Sequence, residues 1–218
     1  MHFVRRGREP RRLKAIRARC TPHWVAFYEQ GRGPRPRDAR WTDDAFWAPL
    51  RAAFHSLCGY CERRCRGEVD HFKPKSRYPE LVYTWSNWIF SCHDCNQLKG
   101  EKFPRQGYVN PCAATASNWP EAFFGFDFVT GEILPRAGLS RGARQKAQAT
   151  IDDLGLNDHH QLLERLDWLE DLKDVLASKS PGDPKLRNVI QRVTARDAPL
   201  SSLTRAFLAS RGLMVSSP

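Results

Sequence analysis

The sequence lacks any apolar run that could cross a membrane. Its longest apolar stretches, such as residues 88–90, are only a few residues long, whereas a spanning helix needs about 20. The basic N-terminus is also not followed by the apolar segment of a secretory signal. These absences predict a cytoplasmic protein with no membrane partner. A chain of 218 residues can bury a core, either as one domain with extensions or as two small domains.

The even set of cysteines expected of a disulfide framework is also missing. Four of the seven cysteines form two CxxC pairs, Cys58 with Cys61 and Cys92 with Cys95. Zinc is held tetrahedrally by four thiolates, and each CxxC turn supplies two of them. Four protein ligands leave no position for water, so the predicted zinc site is structural. Cys65 could replace one ligand, and a thioredoxin-like redox pair is disfavoured because no βαβ pattern surrounds it.

Acidic residues are scarce at the N-terminal end. Residues 1–40 contain 12 Lys or Arg but only 3 Asp or Glu, so most of the formal charge of +11 lies there. Residues 41–112 have a net charge of +2 and residues 113–218 a net charge of zero. A localised basic stretch is typical of contact with a phosphate backbone. A solvated arm, or contact with an acidic partner, is the alternative. The arginines expected to contact nucleic acid are Arg5, Arg6, Arg8, Arg11 and Arg12.

Patterns along the chain predict three regions: a basic N-terminal arm (1–40), a central domain (41–112) and a C-terminal region (113–218). Alternating apolar residues around a Thr-Gly pair in residues 123–134 predict a β-hairpin. Helical spacing of apolar residues predicts helices before the first CxxC pair and after this hairpin. Thr42 or Asp44 is expected to cap a helix that runs to about Leu57. After the hairpin, the expected caps of three further helices are Ser140, then Asn157 or Asp158, and then Asp183. A last helix is expected from about Pro199 to Arg211.

The segment that follows the first CxxC pair carries the candidate chemistry. Hydrolysis of a phosphodiester needs an activated water and a cation that neutralises the developing charge. Neutral His71 could take the proton from water, and neighbouring Asp70 offers a hard carboxylate suited to Mg²⁺ or Mn²⁺. The amide oxygen of Asn96, just after the second CxxC pair, could complete the metal site. The lysines expected to contact phosphate are Lys73, Lys75 and Lys99.

Each of these residues has an ordinary explanation when taken alone. An Asp-His pair is commonly a surface feature, Asn96 a helix cap and Lys99 a solvated lysine. Their order, bracketed by two zinc-binding turns, favours a nuclease site. Trp85 and Trp88 could stack on bases, although we expect them to pack the hairpin. Glu62 is expected to be structural or at the surface.

The order of Asp-His, a central Asn87 and CxxC-Asn-xx-Lys-Gly resembles the HNH, or ββα-metal, nuclease motif. The runs Cys-Gly-Tyr-Cys-Glu, Asp-His-Phe-Lys-Pro-Lys-Ser and Trp-Ser-Asn-Trp narrow this to the PtuB-like HNH proteins of Septu and some retron anti-phage systems. Residues 58–112 carry most of the resemblance. It implies an α+β fold with a ββα-metal core and flanking helices, a catalytic cation on Asp70 and Asn96, and His71 as general base. It also implies that Asn87 holds the loop of the base and that an ATPase of the PtuA type is a partner.

The sequence is compatible with three functions. The first is a metal-dependent endonuclease that acts on DNA or RNA in phage defence. The second is a zinc-stapled module that binds nucleic acid without catalysis, and the third is a subunit that only docks partners. The Asp70-His71 pair favours the first function, because a binding module has no need of a base beside a carboxylate.

Overall fold

A two-stranded hairpin followed by a short helix lies at the centre of the chain, within a mixed α+β fold. The computed structural model describes residues 1–37, 40–178, 180 and 182–213. None of the helices in these ranges is long and apolar enough to span a bilayer. The helices and strands are α1 (Arg11–Gln30), α2 (Asp44–Ala53), β1 (Glu68–His71), β2 (Trp88–Ser91), α3 (His93–Lys99), α4 (Pro120–Phe123), β3 (Phe124–Phe126), β4 (Ile133–Pro135), α5 (Arg141–Asp153), α6 (His159–Ala177), α7 (Pro184–Thr194) and α8 (Ser201–Ser210).

The central hairpin pairs β1 with β2 in antiparallel register, from Glu68 opposite Ser91 to His71 opposite Trp88. All four residues of β2 are buried, whereas β1 passes from half-buried Glu68 to buried His71. α3 packs against β1, which completes the expected ββα arrangement. Because β1 ends at His71, the chain can turn there and place Asp70 and His71 beside one cleft. The second hairpin, β3–β4, also matches its prediction.

Short polar side chains start several helices, as expected, but not always the residues predicted. Ser140 accepts a hydrogen bond from the Ala143 N–H at the start of α5, and Asp183 caps α7. The cap of α2 is Asp43, rather than Thr42 or Asp44, because the Asp43 carboxylate accepts from the Ala45 N–H at 2.9 Å.

Other predicted boundaries were displaced by tertiary contacts and backbone conformation. Asp158 occupies the N-cap position of α6 without a side-chain cap bond. Asn157 instead accepts from the Ile133 N–H at 2.9 Å and so joins α6 to the second hairpin. α2 ends at Ala53, before Leu57, because His55 has a φ of 52°. α8 starts after Pro199 because Leu200 adopts a left-handed φ of 51°.

The N-terminal segment packs on the body through buried Met1 and Val4. The carboxylate of Glu62 is buried, and it accepts hydrogen bonds from the Met1 ammonium and from Ser202 in α8. Burial raises the pKa of Glu62, but the Met1 ammonium and His2 outweigh it and hold that pKa well below its usual range. Glu62 is therefore structural, as expected. The three region boundaries stay a prediction.

A smaller apolar cluster lies between α6 and α8. It contains Leu169, Leu172, Leu200, Leu203 and Phe207. Leu169 and Leu172 of α6 are therefore core residues. The central domain, α1 and α5 share the larger core.

Candidate metal centre and catalytic cleft

The two CxxC turns meet on one side of the central hairpin. In the first turn the Gly59 N–H donates to the Phe90 carbonyl at 2.8 Å, which fixes the turn to β2. A Cβ at Gly59 would lie 2.6 Å from the Phe54 ring and 2.9 Å from Ile89, so only glycine fits this approach. The second turn begins where β2 ends, with Cys92 at the N-cap of α3.

The four cysteines fit a tetrahedral zinc ion. The Sγ atoms of Cys58, Cys61, Cys92 and Cys95 are buried and lie within 4.8 Å of one another. Zn–S bonds of about 2.3 Å place the sulfurs of a tetrahedron roughly 3.8 Å apart. The Cys61 and Cys92 sulfurs are separated by 3.8 Å. Hydrogen bonds from the neighbouring thiols lower the pKa of Cys92, whereas burial raises the pKa of Cys58 and the neighbouring thiols raise that of Cys95. Zinc binding would therefore release protons from this cluster.

Three N–H groups point to these sulfurs from different parts of the chain. The Tyr60 N–H donates to Cys58 Sγ at 3.4 Å, and Arg63 Nε donates to Cys61 Sγ at 3.5 Å. Gln161 Nε2, on α6, lies 4.0 Å from Cys95 Sγ. Such partners orient metal ligands and tune their basicity. The contact from Gln161 also attaches α6 to the cysteine cluster.

A cleft of 680 Å³, here called the β1–α3 cleft, lies beside β1 and α3, with Trp41 and Trp47 among its lining residues. Asp70 lines it and is 3 % exposed. Its Oδ1 accepts from Lys99 Nζ at 2.8 Å and its Oδ2 accepts from the Tyr60 hydroxyl. Burial, and then the Asp70 carboxylate, raise the pKa of Tyr60, so this hydroxyl stays a donor. The carboxylate is thereby fixed in one orientation.

His71 also lines the cleft, at the end of β1. Its Nε2 lies 2.9 Å from the Val82 carbonyl, which can only accept, so Nε2 carries the proton and Nδ1 keeps its lone pair. Burial, and then the positive charge of Lys75, lower the pKa of His71 to about 3. The ring of Trp41 meets that of His71 edge-on at 5.0 Å. His71 is therefore a neutral, rigidly held imidazole.

Asn87 connects the segments on either side of this imidazole. Its Oδ1 accepts from the Lys73 N–H at 2.8 Å, and its Nδ2 donates to the Lys73 carbonyl at 3.0 Å and the Leu81 carbonyl at 3.4 Å. Leu81 directly precedes Val82, the partner of His71. All the polar groups of the amide are engaged with backbone, which suits a residue that holds a loop.

The sequence reasoning missed Glu68. Its carboxylate lines the same cleft and accepts from Asn96 Nδ2 at 2.6 Å and from exposed His93 at 2.8 Å. Glu68 lies two residues before Asp70 on β1, so both side chains leave the same face of the strand. The two-residue spacing of Glu68 and Asp70 in a predicted strand is the sequence signal that could have identified Glu68 as a residue of the cleft.

Comparison with known proteins agrees with this geometry. A family model described as HNH endonuclease matches residues 58–102. A protein of retron Vc95 from Vibrio cholerae serotype O1 biovar El Tor, itself named as an HNH endonuclease, is 32% identical over 145 residues, 61% of this chain and 67% of that protein. This chain belongs to the HNH endonuclease family. The Septu protein PtuB of Bacillus thuringiensis is 33% identical over 169 residues, 75% of this chain and 57% of that protein. The predicted resemblance to PtuB-like HNH proteins is confirmed.

Not every residue predicted for the HNH site lies where its predicted role requires. Asp70, His71, Asn96 and Lys75 line the cleft together. The prediction of a phosphate contact for Lys99 was wrong, because this lysine is fully buried and donates to Asp70 and to the His71 carbonyl.

Two further predictions concern side chains near the hairpin. Arg6 was predicted to contact nucleic acid, but it is half-buried and its Nη1 donates to the carbonyls of Trp85 and Trp88. Those tryptophans are themselves buried, so they pack the HNH hairpin and do not present their faces to bases. The remaining predicted arginines, Arg5, Arg8, Arg11 and Arg12, are exposed.

Proposed function

We propose that this chain is a metal-dependent endonuclease that hydrolyses phosphodiester bonds of nucleic acid. The observation that carries the proposal is His71, whose Nε2 is occupied by Val82 while Nδ1 keeps its lone pair in a cleft lined by carboxylates. Membership of the HNH endonuclease family supports the same reaction.

The residues of the cleft suit a hard divalent cation, Mg²⁺ or Mn²⁺. Glu68, Asp70 and Asn96 bring carboxylate and amide oxygens to one cleft, and these are the ligands that such cations prefer. A carboxylate has about four lone-pair positions, so the bonds from Lys99 and Tyr60 leave Asp70 able to bind a cation. Asp70 and Asn96 would hold the ion, with Glu68 beside them. A cation there would neutralise charge that develops on the phosphate.

The chain's own groups supply the proton transfer. Nδ1 of His71 takes the proton of the attacking water, and a positioned base contributes about 10²- to 10⁴-fold to the rate. Val82 and Asn87 keep the imidazole in the correct tautomer and orientation. The low pKa of His71 keeps it unprotonated at neutral pH.

A path for the substrate would run along the basic residues of α1 and of the segment that follows β1. α1 packs against the turn Pro79–Leu81, which directly precedes Val82, the partner of His71. The solvent-facing cations of α1 are Arg11, Arg12, Lys14 and Arg19. Together with Lys75, which lines the cleft, and Lys73, which precedes it by two residues, these residues would bind successive phosphates in a salt-dependent manner.

The biological role that we propose is anti-phage defence, supported by similarity to Septu PtuB and to a retron HNH endonuclease. The resemblance to PtuB further supports an ATPase subunit of the PtuA type as a partner. Co-purification of the chain with a co-expressed ATPase of the PtuA type would test this assembly.

Cleavage of plasmid DNA and of RNA in Mg²⁺ or Mn²⁺ tests the reaction, with the protein alone and with the ATPase. We expect His71→Ala to lose at least about a hundredfold in rate while keeping its zinc and its melting temperature within a few degrees. His159→Ala, which removes an exposed imidazole on α6, is the matched control and should cleave normally. His71→Gln provides a second variant if His71→Ala fails to fold.

Cleavage by folded His71 variants at the rate of the wild type, under conditions where EDTA abolishes it, would exclude His71 as the base. Binding without cleavage in every condition would instead favour a zinc-stapled binding module.

A further inference from the structure

A second pocket, here called the N-terminal pocket, lies away from the β1–α3 cleft. It has a volume of 660 Å³ and is lined by residues 2–6, by Ala53 and His55 at and just after the end of α2, and by Cys112, Trp119 and Arg196. It shares no lining residue with the cleft. Its described lining includes three arginines and two histidines and contains no Asp or Glu. Such a pocket attracts anions.

Part of this positive charge is available to a ligand. Arg5 and His55 are exposed and make no ion pair among the described residues. Arg196 donates through Nη1 to the Phe3 carbonyl at 3.0 Å, which leaves its other N–H groups for a ligand. His2 is paired with Glu62, so it contributes little.

The pocket also has an aromatic wall. Phe3 and Trp119 stack with ring centroids 4.3 Å apart and planes inclined by 18°, and the guanidinium of Arg196 lies 5.8 Å from the Phe3 ring. The indole Nε1 of Trp119 is buried and has no hydrogen-bond partner among the described residues. The aromatic faces of this wall, not the buried indole N–H, are therefore what the pocket offers to a ligand.

We propose that the N-terminal pocket binds a nucleotide. Arg5, His55 and Arg196 would contact its phosphate groups, and its base would lie against the Phe3–Trp119 stack. The guanidinium fork suits phosphate, aromatic rings accept any base, and the volume is that of a small-molecule site and too small for a duplex. The nucleotide is either free or the 5′-terminal nucleotide of a strand. The proposal does not depend on the nuclease reaction.

Calorimetric titration of the full chain carrying His71→Ala, with ATP as the probe, tests the proposal without cleavage. We expect one site per chain that binds ATP more tightly than inorganic triphosphate and does not bind adenosine. Arg5→Glu should weaken ATP binding by roughly tenfold, because a charge-assisted contact is lost and replaced by repulsion. Arg187→Glu makes the same charge change at an exposed position of α7 that lines neither pocket, and it should alter the affinity by less than twofold.

A 5′-phosphorylated trinucleotide and its 5′-hydroxyl counterpart separate the two sources. Stronger binding of the phosphorylated form than of ATP would identify the strand end, and the reverse order would identify a free nucleotide; either result supports the pocket. Two results would overturn the proposal. One is the absence of binding by both probes at millimolar concentration. The other is equal weakening by Arg5→Glu and Arg187→Glu, which would indicate general charge attraction.

Discussion

Among the lysines that the structure describes, only Lys99 is fully buried. Its replacement should therefore lower the stability of the fold more than that of any other described lysine. Its Nζ lies 2.8 Å from Asp70 Oδ1 and 2.8 Å from the His71 carbonyl. Lys99→Met keeps the length and most of the volume of the side chain. It removes the ammonium and leaves the Asp70 carboxylate buried with only the Tyr60 hydroxyl as a donor.

The magnitude follows from the loss of one partner in a buried ion pair. Breaking such a pair costs about 3–5 kcal/mol, since the remaining charge is buried without compensation. A domain is stable by only about 5–15 kcal/mol. Because each kcal/mol moves the melting temperature of a protein of this size by about 2–4 °C, the melting temperature should fall by roughly 6–20 °C.

Denaturant unfolding at a fixed zinc concentration measures this loss. Lys102→Met is the matched control, because the Lys102 side chain is 55% exposed and 3.8 Å from Asp153, so its loss should cost at most about 0.5 kcal/mol. Adding Asp70→Asn to Lys99→Met removes the stranded charge, so the double variant should lose less than the sum of the two single variants. A Lys99→Met protein within about 1 kcal/mol of the Lys102→Met control would refute the reasoning.

Other expected outcomes concern pH, zinc and the link between the two sites. Burial holds the pKa of His71 near 3 instead of 6.5, so below pH 6.5 the unfolded chain binds a proton that the folded chain does not. The free energy of unfolding should then fall by about 1.4 kcal/mol per pH unit from pH 6.5 towards 3. Denaturant unfolding at a series of pH values should show this slope in the wild type, and His71→Asn should lack this contribution. Strong chelators should unfold the central domain, because structural zinc binding is linked to folding, and the far-ultraviolet circular dichroism should be lost. An unchanged spectrum after zinc removal would contradict a structural role for the four-cysteine zinc site. Gln161→Leu should weaken zinc binding about tenfold in competition with a chelator, and unchanged affinity would mean that its contact with Cys95 is incidental. Tyr60→Phe should retain zinc but slow cleavage, whereas wild-type cleavage would show that the hydroxyl does not position Asp70.

The parts of the site that could be predicted are those in which neighbours in sequence act together. Each CxxC turn brings two thiolates together over four residues, so the zinc ligands could be read directly. Asp70 and His71 are adjacent, and the ordered motif identified the hairpin and α3. The β3–β4 hairpin was also predictable, since its alternation is local.

The parts that could not be predicted depend on contacts between distant segments. Lys99 was predicted to contact phosphate because nothing in its neighbourhood indicates that α3 turns it towards Asp70. Arg6 lies in a basic run typical of a solvated arm, yet it donates to carbonyls more than 75 residues away in sequence. Glu68 was overlooked because its partners Asn96 and His93 become visible only when β1 and α3 are packed.

The fold explains why the four-cysteine cluster and the β1–α3 cleft occur in one short segment. An isolated two-stranded hairpin is at best marginally stable in water, and β1 and β2 have only four residues each. The two side chains that donate to Asp70 come from segments attached to the CxxC turns. Tyr60 lies inside the first turn, and Lys99 lies on α3, whose N-cap is Cys92. Structural zinc binding releases about 10–16 kcal/mol in small zinc domains, far more than the hydrogen bonds of this hairpin can supply at about 1 kcal/mol each. We therefore propose that the free energy of zinc binding at the four cysteines fixes the orientation of the Asp70 carboxylate in the cleft.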